Sequence, residues 1–199
     1  KKYQMRAVSR IKTWGEDGMN GFLIAHDPGL GKTRTALSVA SGFLSADDAS
    51  RGAVVLAPQS TLAQWRNTSF DVGLSAEISH GSEKKDIREI SPDTQVVITT
   101  SDYAFHNPER LVDAVKLCEN RLLILDEAVH YKNPESKSFK AAALMAMASK
   151  FVAMLSGTPV ENHIGELEAL VLLGEPRVFP KREFAALHEV YGEKEVYIP

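Results

Sequence analysis

The sequence predicts an α/β fold with a mainly parallel β-sheet covered by helices on both faces. Five short runs of β-branched or aliphatic residues are each bounded by polar or turn-forming residues. Stretches with helical spacing lie between most of these runs, and 199 residues are enough for one well-buried domain. Alternating strands and helices favour parallel pairing, because a helix supplies the crossover that two parallel strands need.

The five predicted strands cover residues 22–25, 53–57, 95–99, 122–125 and 151–155, and each run is too short for a buried helix. The predicted helices cover residues 33–44, 61–70, 109–117, 138–147 and 165–173, and the fourth has an alanine-rich, helix-favouring composition. In an open parallel sheet, ligands bind beyond the carboxyl ends of the strands. Functional chemistry is therefore expected in the residues that directly follow each strand.

The composition is typical of a soluble globular protein. Apolar residues make up 44% and charged residues 25%, and no apolar run approaches the roughly 20 residues of a membrane-spanning helix. We therefore expect no membrane association and an intracellular location, in the nucleus of a eukaryote or in the cytoplasm for a bacterial or viral protein. The formal net charge of −3 argues against a uniformly basic nucleic-acid-binding surface, although local donors can still contact phosphates.

The cysteine, histidine and tryptophan residues are expected to be structural. Cys118 is the only cysteine, so an internal disulfide and a cysteine-based zinc cluster are excluded, and its apolar neighbours predict a core position. The six histidines have no metal-ligand spacing on one element. Trp14 and Trp65 are expected to pack in the core and not to stack on nucleic-acid bases.

A glycine-rich loop follows the first predicted strand and precedes a helix, with the sequence His26-Asp27-Pro28-Gly29-Leu30-Gly31-Lys32-Thr33. This strand, loop and helix order is the context that a phosphate-binding loop requires. The two glycines would let backbone N–H groups point inward, and the helix start near Lys32 would add the positive end of its dipole. Lys32 is expected to pair with the β- and γ-phosphates of ATP, and Thr33 is expected to ligate Mg²⁺.

The loop departs from the full phosphate-loop pattern at one position, because His26 stands where the pattern has its first glycine. A glycine-rich turn without a ligand is the alternative interpretation. The residues expected to bind the nucleotide within this loop are Asp27, Pro28, Gly29, Leu30, Gly31, Lys32 and Thr33.

An acidic pair, Asp126-Glu127, directly follows the predicted strand 122–125. Asp126 is expected to hold Mg²⁺ through its water shell, and Glu127 to orient and deprotonate the attacking water. A solvated acidic turn is the alternative, since Asp and Glu are common after strands. A phosphate loop elsewhere in the chain favours the catalytic interpretation, in which Lys32, Asp126 and Glu127 carry the chemistry.

Six motifs in order resemble those of the Swi/Snf-type DNA-dependent ATPases, a group of superfamily-two helicase-like motors. They are Tyr3-Gln4, the loop 27–33, Ala57-Pro58-Gln59-Ser60-Thr61-Leu62 with Gln64-Trp65, Thr99-Thr100-Ser101, Asp126-Glu127-Ala128 with Lys132-Asn133, and Ser156-Gly157-Thr158-Pro159-Val160-Glu161-Asn162. The resemblance covers nearly the whole chain. It implies the amino-terminal RecA-like lobe of a motor that uses ATP and Mg²⁺ to move on, or remodel, double-stranded DNA and its bound protein cargo.

The resemblance also implies roles for individual residues. Gln4 would read the adenine edge, and the DNA phosphates would contact Ser60, Thr61, Thr99, Thr100 and Ser101. Nucleotide state would be coupled to DNA by Ser156, Gly157, Thr158 and Asn162. Hydroxyl and backbone amide groups can bind phosphates without net positive charge, although each motif taken alone is equally typical of turns and helix caps.

The expected domain organisation is one lobe over residues 1–180 and a charged segment, 181–199, that leads toward a second lobe absent from this chain. A helix over 165–173 is ended by Gly174 and Pro176, and no internal repeat or low-complexity linker is found. The resemblance implies that an arginine of the second RecA-like lobe reaches the γ-phosphate. We therefore expect the chain alone to bind nucleotide weakly and hydrolyse it slowly.

The chain departs from the family pattern in two places, after the acidic pair and in the glycine-rich loop. Where this chain has Val129, the family usually has a His that helps relay nucleotide state. The coupling of ATP to DNA is therefore expected to be altered or taken over by His130. The family favours an acidic residue and Met where the loop has His26 and Pro28; proline removes one N–H, so weaker phosphate binding is expected. The alternatives are a strand-separating helicase or restriction-type motor, and a nucleotide-gated scaffold with little turnover, which Val129 favours.

Overall fold

The computed structural model describes residues 2–17, 19–27, 29–43, 52–81, 86–91, 93–119, 121–158 and 165–175. Within these ranges six strands form one sheet: β1 Gly21–Ala25, β2 Ala53–Leu56, β3 Ala76–Ile78, β4 Val96–Thr99, β5 Leu122–Leu125 and β6 Phe151–Ser156. The order across the sheet is β1-β6-β5-β2-β4-β3, and each neighbouring pair is parallel. The predicted parallel sheet is therefore confirmed, and all its strands end at the same edge.

The helices are α1 Lys2–Glu16, α2 Lys32–Phe43, α3 Leu62–Asp71, α4 Ser101–Ala104, α5 Pro108–Cys118, α6 Lys137–Ala148 and α7 Gly165–Gly174. The five predicted helices are confirmed, and most of their ends differ from the predicted ends by one residue. Capping chemistry sets one of these ends: the Asn107 side chain accepts the Arg110 backbone N–H at 2.9 Å, and Pro108 occupies the first turn. The predicted final residue of the first helix, Leu44, lies outside the described residues.

The core lies in two layers, one on each face of the sheet. Along β2, Val54 and Leu56 belong to the layer that α5, α6 and α7 cover, whereas Ala53 and Val55 belong to the layer covered by α1, α2 and α3. Successive strand residues point to opposite faces, so a strand buried on both faces needs apolar residues at every position. The prediction of helices on both faces is confirmed.

The sequence does not predict three elements, β3, α1 and α4. Strand β3 has three residues and pairs with β4 at the edge of the sheet, and three residues are too few to show a periodic pattern. Helix α1 packs against α2 and contributes Ile11, which is buried, to the core. Helix α1 also brings Tyr3 and Gln4 to the glycine-rich loop that follows β1.

Cys118 and Trp65 are both fully buried, as the sequence predicts. Burial raises the pKa of the Cys118 thiol to about 12. The side chain of Trp14 and residues 176–199 lie outside the described residues, so the packing of Trp14 and the boundary at residue 180 stay predictions. None of the described helices is both long and apolar enough to cross a membrane.

Candidate functional site

The glycine-rich loop connects the end of β1 to the first residue of α2, Lys32. Gly29 and Gly31 have φ angles of 79° and 80°, in the left-handed region where a side chain is disfavoured. The Lys32 Nζ donates a hydrogen bond to the carbonyl oxygen of His26 at 3.0 Å, so the lysine side chain lies along the inside of the loop. Pro28 lies outside the described residues.

Helix α1 holds this loop from the side. The Tyr3 hydroxyl donates to the Leu30 carbonyl at 2.7 Å, and the Gln4 Nε2 donates to the Gly31 carbonyl at 3.3 Å. A Cβ atom at Gly31 would lie 2.6 Å from the Gln4 Nε2, so a side chain there would displace Gln4. The predicted contact of Gln4 with adenine stays a prediction, whereas its contact with the loop backbone is a feature that the sequence does not indicate.

The acidic pair lies at the end of β5, at the edge of the sheet where the glycine-rich loop also follows β1. Asp126 is only 9% exposed. Its Oδ2 accepts the Trp65 indole N–H at 2.8 Å, and its Oδ1 accepts the Glu127 backbone N–H at 3.1 Å. Burial raises the pKa of the Asp126 carboxyl above its usual range, and the Trp65 hydrogen bond acts in the opposite direction.

The Trp65 contact is a functional feature that the sequence analysis misses. The motif Gln64-Trp65 marks the position, but nothing in its spacing indicates that the indole reaches a carboxylate at the end of another strand. A buried indole N–H needs a hydrogen-bond acceptor, and that requirement is the signal that points to a polar partner.

Glu127 has a φ of 50° and is the non-glycine residue of the described chain with a left-handed backbone. This conformation costs free energy for a residue with a Cβ atom, and such residues concentrate at functional sites. The half-buried Glu127 is followed at once by a short 3₁₀ turn, Ala128–Tyr131. The strained backbone therefore marks the point where β5 turns away from the sheet.

The predicted hydroxyl-bearing residues lie along the same edge but differ in exposure. Ser60 is exposed and Thr61 and Ser101 are half-buried, whereas Thr99 is fully buried and Thr100 is buried. The Thr61 hydroxyl donates to the Pro58 carbonyl at 2.9 Å, and the Thr100 hydroxyl accepts the Tyr103 backbone N–H at 3.2 Å. Both bonds are local turn or cap bonds that also fix the positions of these loops.

Strand β6 brings the last motif beside the phosphate loop. Ser156 is fully buried and pairs in register with Ala25, the final residue of β1. Its hydroxyl accepts the Thr158 backbone N–H at 3.0 Å, across Gly157. Asn162 lies outside the described residues.

A cleft of about 630 Å³ opens at the carboxyl ends of β2, β4 and β5. Its walls include Pro58, Gln59, Thr100, Ser101, Asp126 and Tyr131. Three of the predicted motifs therefore face one space. His130, on the 3₁₀ turn, is exposed and also lines this cleft, whereas Val129 is half-buried.

The fold and this arrangement of motifs define a RecA-like α/β lobe. Residues 3–190 match the SNF2-related domain, and the chain belongs to that family. It is 28% identical over 193 residues to the ATP-dependent DNA helicase DDM1 of Arabidopsis thaliana, a match that covers 92% of this chain and 24% of that protein. It is 30% identical over 191 residues to the DNA excision repair protein ERCC-6-like of Danio rerio, covering 89% and 13% of the two chains.

The fold is also that of a solved structure, the Sulfolobus solfataricus SWI2/SNF2 ATPase core in complex with dsDNA. The TM-score is 0.72 at 24% identity, and the match covers 95% of this chain and 42% of that one. At this level of identity the likeness establishes the shared fold. The chain spans less than half of that ATPase core and, at 24% and 13%, a quarter or less of the two curated relatives.

Proposed function

We propose that this chain is the ATP-binding first lobe of a DNA-dependent ATPase that translocates on double-stranded DNA and remodels DNA or displaces the proteins bound to it. The observation that carries the proposal is the position of Lys32, Asp126 and Glu127 at the carboxyl edge of one parallel sheet, where the hydroxyl-bearing loops also lie. The names of the relatives, which include a DNA helicase and an excision repair protein, support it.

The residues present fit Mg-ATP. The loop has two left-handed glycines, and Lys32 is bonded to the loop's own backbone by a bond that a phosphate oxygen can replace. Asp126 is nearly buried, yet it is one of the residues that line the cleft. One or two carboxylates are enough for Mg²⁺, because the ion also binds substrate phosphates and waters.

Each residue has a proposed task. Lys32 would pair with the β- and γ-phosphates, Thr33 and Asp126 would hold Mg²⁺, and Gln4 would contact adenine. Glu127 would orient a water molecule in line with the γ-phosphate and accept its proton. Bound Mg²⁺ would supply charge neutralisation at the phosphates as the bond to the leaving oxygen breaks.

Turnover by this site would require a second RecA-like lobe whose arginine reaches the γ-phosphate. Such an arginine contributes about 10³- to 10⁵-fold in rate in related phosphoryl-transfer systems. The half-buried and exposed hydroxyls at 60–61 and 101, with Thr158, would contact DNA or relay nucleotide state. We further propose that the protein acts wherever its DNA resides, in the nucleus of a eukaryote or the cytoplasm of a bacterium.

The test is ATP hydrolysis by the full-length protein with and without duplex DNA, beside Glu127→Gln. We expect strong stimulation by DNA in the unmodified protein and loss of turnover in the variant, with ATP binding retained because the glutamine keeps the size of the side chain. Glu135→Gln is the matched control, since Glu135 is exposed and lies beyond the 3₁₀ turn Ala128–Tyr131 that follows the acidic pair. Turnover that survives Glu127→Gln would contradict the assigned role.

A nucleotide-gated scaffold is the second candidate, and Val129 favours it because an aliphatic side chain cannot relay a hydrogen bond. ATP binding without DNA-stimulated turnover would support the scaffold. A strand-displacement assay separates a duplex translocase, which releases no strand, from a strand-separating helicase.

A further inference from the structure

Tyr131 ends the 3₁₀ turn that follows the acidic pair, and its side chain is fully buried. Its hydroxyl hydrogen-bonds with the hydroxyl of Ser101, the first residue of α4. Burial raises the pKa of Tyr131 to about 12. The bond joins the segment after β5 to the loop after β4.

The turn between the acidic pair and Tyr131 is short and internally bonded. The His130 backbone N–H donates to the Glu127 carbonyl at 3.1 Å, and the Lys132 backbone N–H donates to the Val129 carbonyl at 3.3 Å. A rotation of Glu127 away from its left-handed backbone would therefore shift the whole turn. Because the turn is short and internally hydrogen-bonded, the displacement would be transmitted to Tyr131.

The loop on the other side of the bond is equally well fixed. Ser101 follows Thr100, whose hydroxyl caps α4 through the Tyr103 backbone N–H. Tyr131, Ser101 and Asp126 all face the same cleft. A movement of the Tyr131 hydroxyl would therefore displace the cleft surface at which we place the DNA.

We propose that the hydroxyl pair of Tyr131 and Ser101 couples the acidic pair to the DNA-facing loop, in a chain whose Val129 cannot do so. This inference rests on the proposed function. Val129 has no hydrogen-bonding side chain, and the neighbouring His130 is exposed. Tyr131 is a positioning residue under this proposal, because its buried side chain would act through the hydroxyl of Ser101.

The test uses the full-length protein and the ratio of DNA-stimulated to unstimulated ATP turnover. Tyr131→Phe keeps the ring and removes the bond, so the ratio should fall about fivefold or more, the lower end of measured coupling between sites. The effect of nucleotide on DNA affinity should also weaken, by a factor that need not equal the change in turnover, because reciprocity between two sites holds for binding and not for rates. A ring that only packs would leave both quantities unchanged.

Four further variants complete the design. Ser101→Ala should lower the ratio. The double variant, Tyr131→Phe with Ser101→Ala, should lower it no further than the more severe single variant does, because both substitutions remove the same hydrogen bond. Ser101→Thr keeps a hydroxyl and should restore the ratio. Tyr103→Phe is the matched control, because its ring contacts with His80 and Arg110 do not need the hydroxyl.

The outcomes separate this inference from the function on which it rests. An unmodified protein without DNA stimulation would refute both. Normal stimulation that Tyr131→Phe leaves intact would refute only the coupling role, whatever the variant does to thermal stability. Additive losses in the double variant would show that the two hydroxyls act independently and would also overturn it.

Discussion

The hydrogen bond from Trp65 to Asp126 gives the sharpest prediction at the acidic pair. Trp65→Phe removes the indole N–H that lies 2.8 Å from the Asp126 Oδ2 and leaves that oxygen without its donor. A hydrogen bond to a charged group contributes about 1.5–3 kcal/mol to stability, against about 0.5–1.5 kcal/mol for a neutral one. The substitution also removes volume from a fully buried site, which adds a packing cost.

A double-mutant cycle isolates the bond from the packing cost. The amide oxygen of Asp126→Asn can still accept the indole N–H, but without a charge. Trp65→Phe should therefore destabilise the Asp126→Asn variant by roughly 1 kcal/mol less than it destabilises the unmodified chain. Urea unfolding of this lobe, followed by far-ultraviolet circular dichroism, measures the difference without relying on tryptophan fluorescence.

The functional readout is the Mg²⁺ concentration that gives half-maximal ATP turnover. Loss of a partner that orients a metal-binding carboxylate lowers metal affinity by about 10- to 100-fold in other sites, so Trp65→Phe should raise the Mg²⁺ requirement. Phe139→Leu is the control, because Phe139 is also fully buried but packs on the opposite face of the sheet. Equal Mg²⁺ requirements in the two variants would refute the reasoning.

Two further predictions concern single buried groups. Thr99 has a fully buried hydroxyl with no hydrogen-bond partner among the described residues. Thr99→Val should therefore raise the free energy of unfolding by about 1 kcal/mol. Thr35→Val should lower the free energy of unfolding, because the Thr35 hydroxyl donates to the Gly31 carbonyl. Urea titration checks both, and a destabilised Thr99→Val would reveal a partner. Cys118 has a folded-state pKa of about 12, above the roughly 8.5 of an exposed thiol, so the folded state holds the proton more tightly. The protonated Cys118 thiol contributes fully to stability below about pH 8.5, and this contribution falls by about 1.4 kcal/mol per pH unit above that pH. The free energy of unfolding of Cys118→Ala should therefore fall less steeply with pH than that of the unmodified chain. Equal slopes for the two proteins would contradict the assignment.

The sequence predicts most of this fold because local pattern and tertiary role agree. Strands buried on both faces must be apolar throughout, as in Ala53–Leu56 and Leu122–Leu125. The helices carry their own caps, such as Ser136, whose hydroxyl accepts the Phe139 backbone N–H at 3.1 Å. The exceptions are β3 and α4, which are too short for a pattern, and α1, which becomes informative only where it meets the phosphate loop.

The sequence by itself determined the order of the motifs, the class of fold and the residue types at the candidate site, because these depend on neighbours along the chain. Only the tertiary structure decided which distant side chains meet. It placed the Trp65 indole on Asp126, the Gln4 amide on the phosphate loop and the Tyr131 hydroxyl on Ser101. Such pairings depend on strand order and helix packing, which sequence spacing does not encode, so a residue expected only to pack, such as Trp65, also holds a carboxylate.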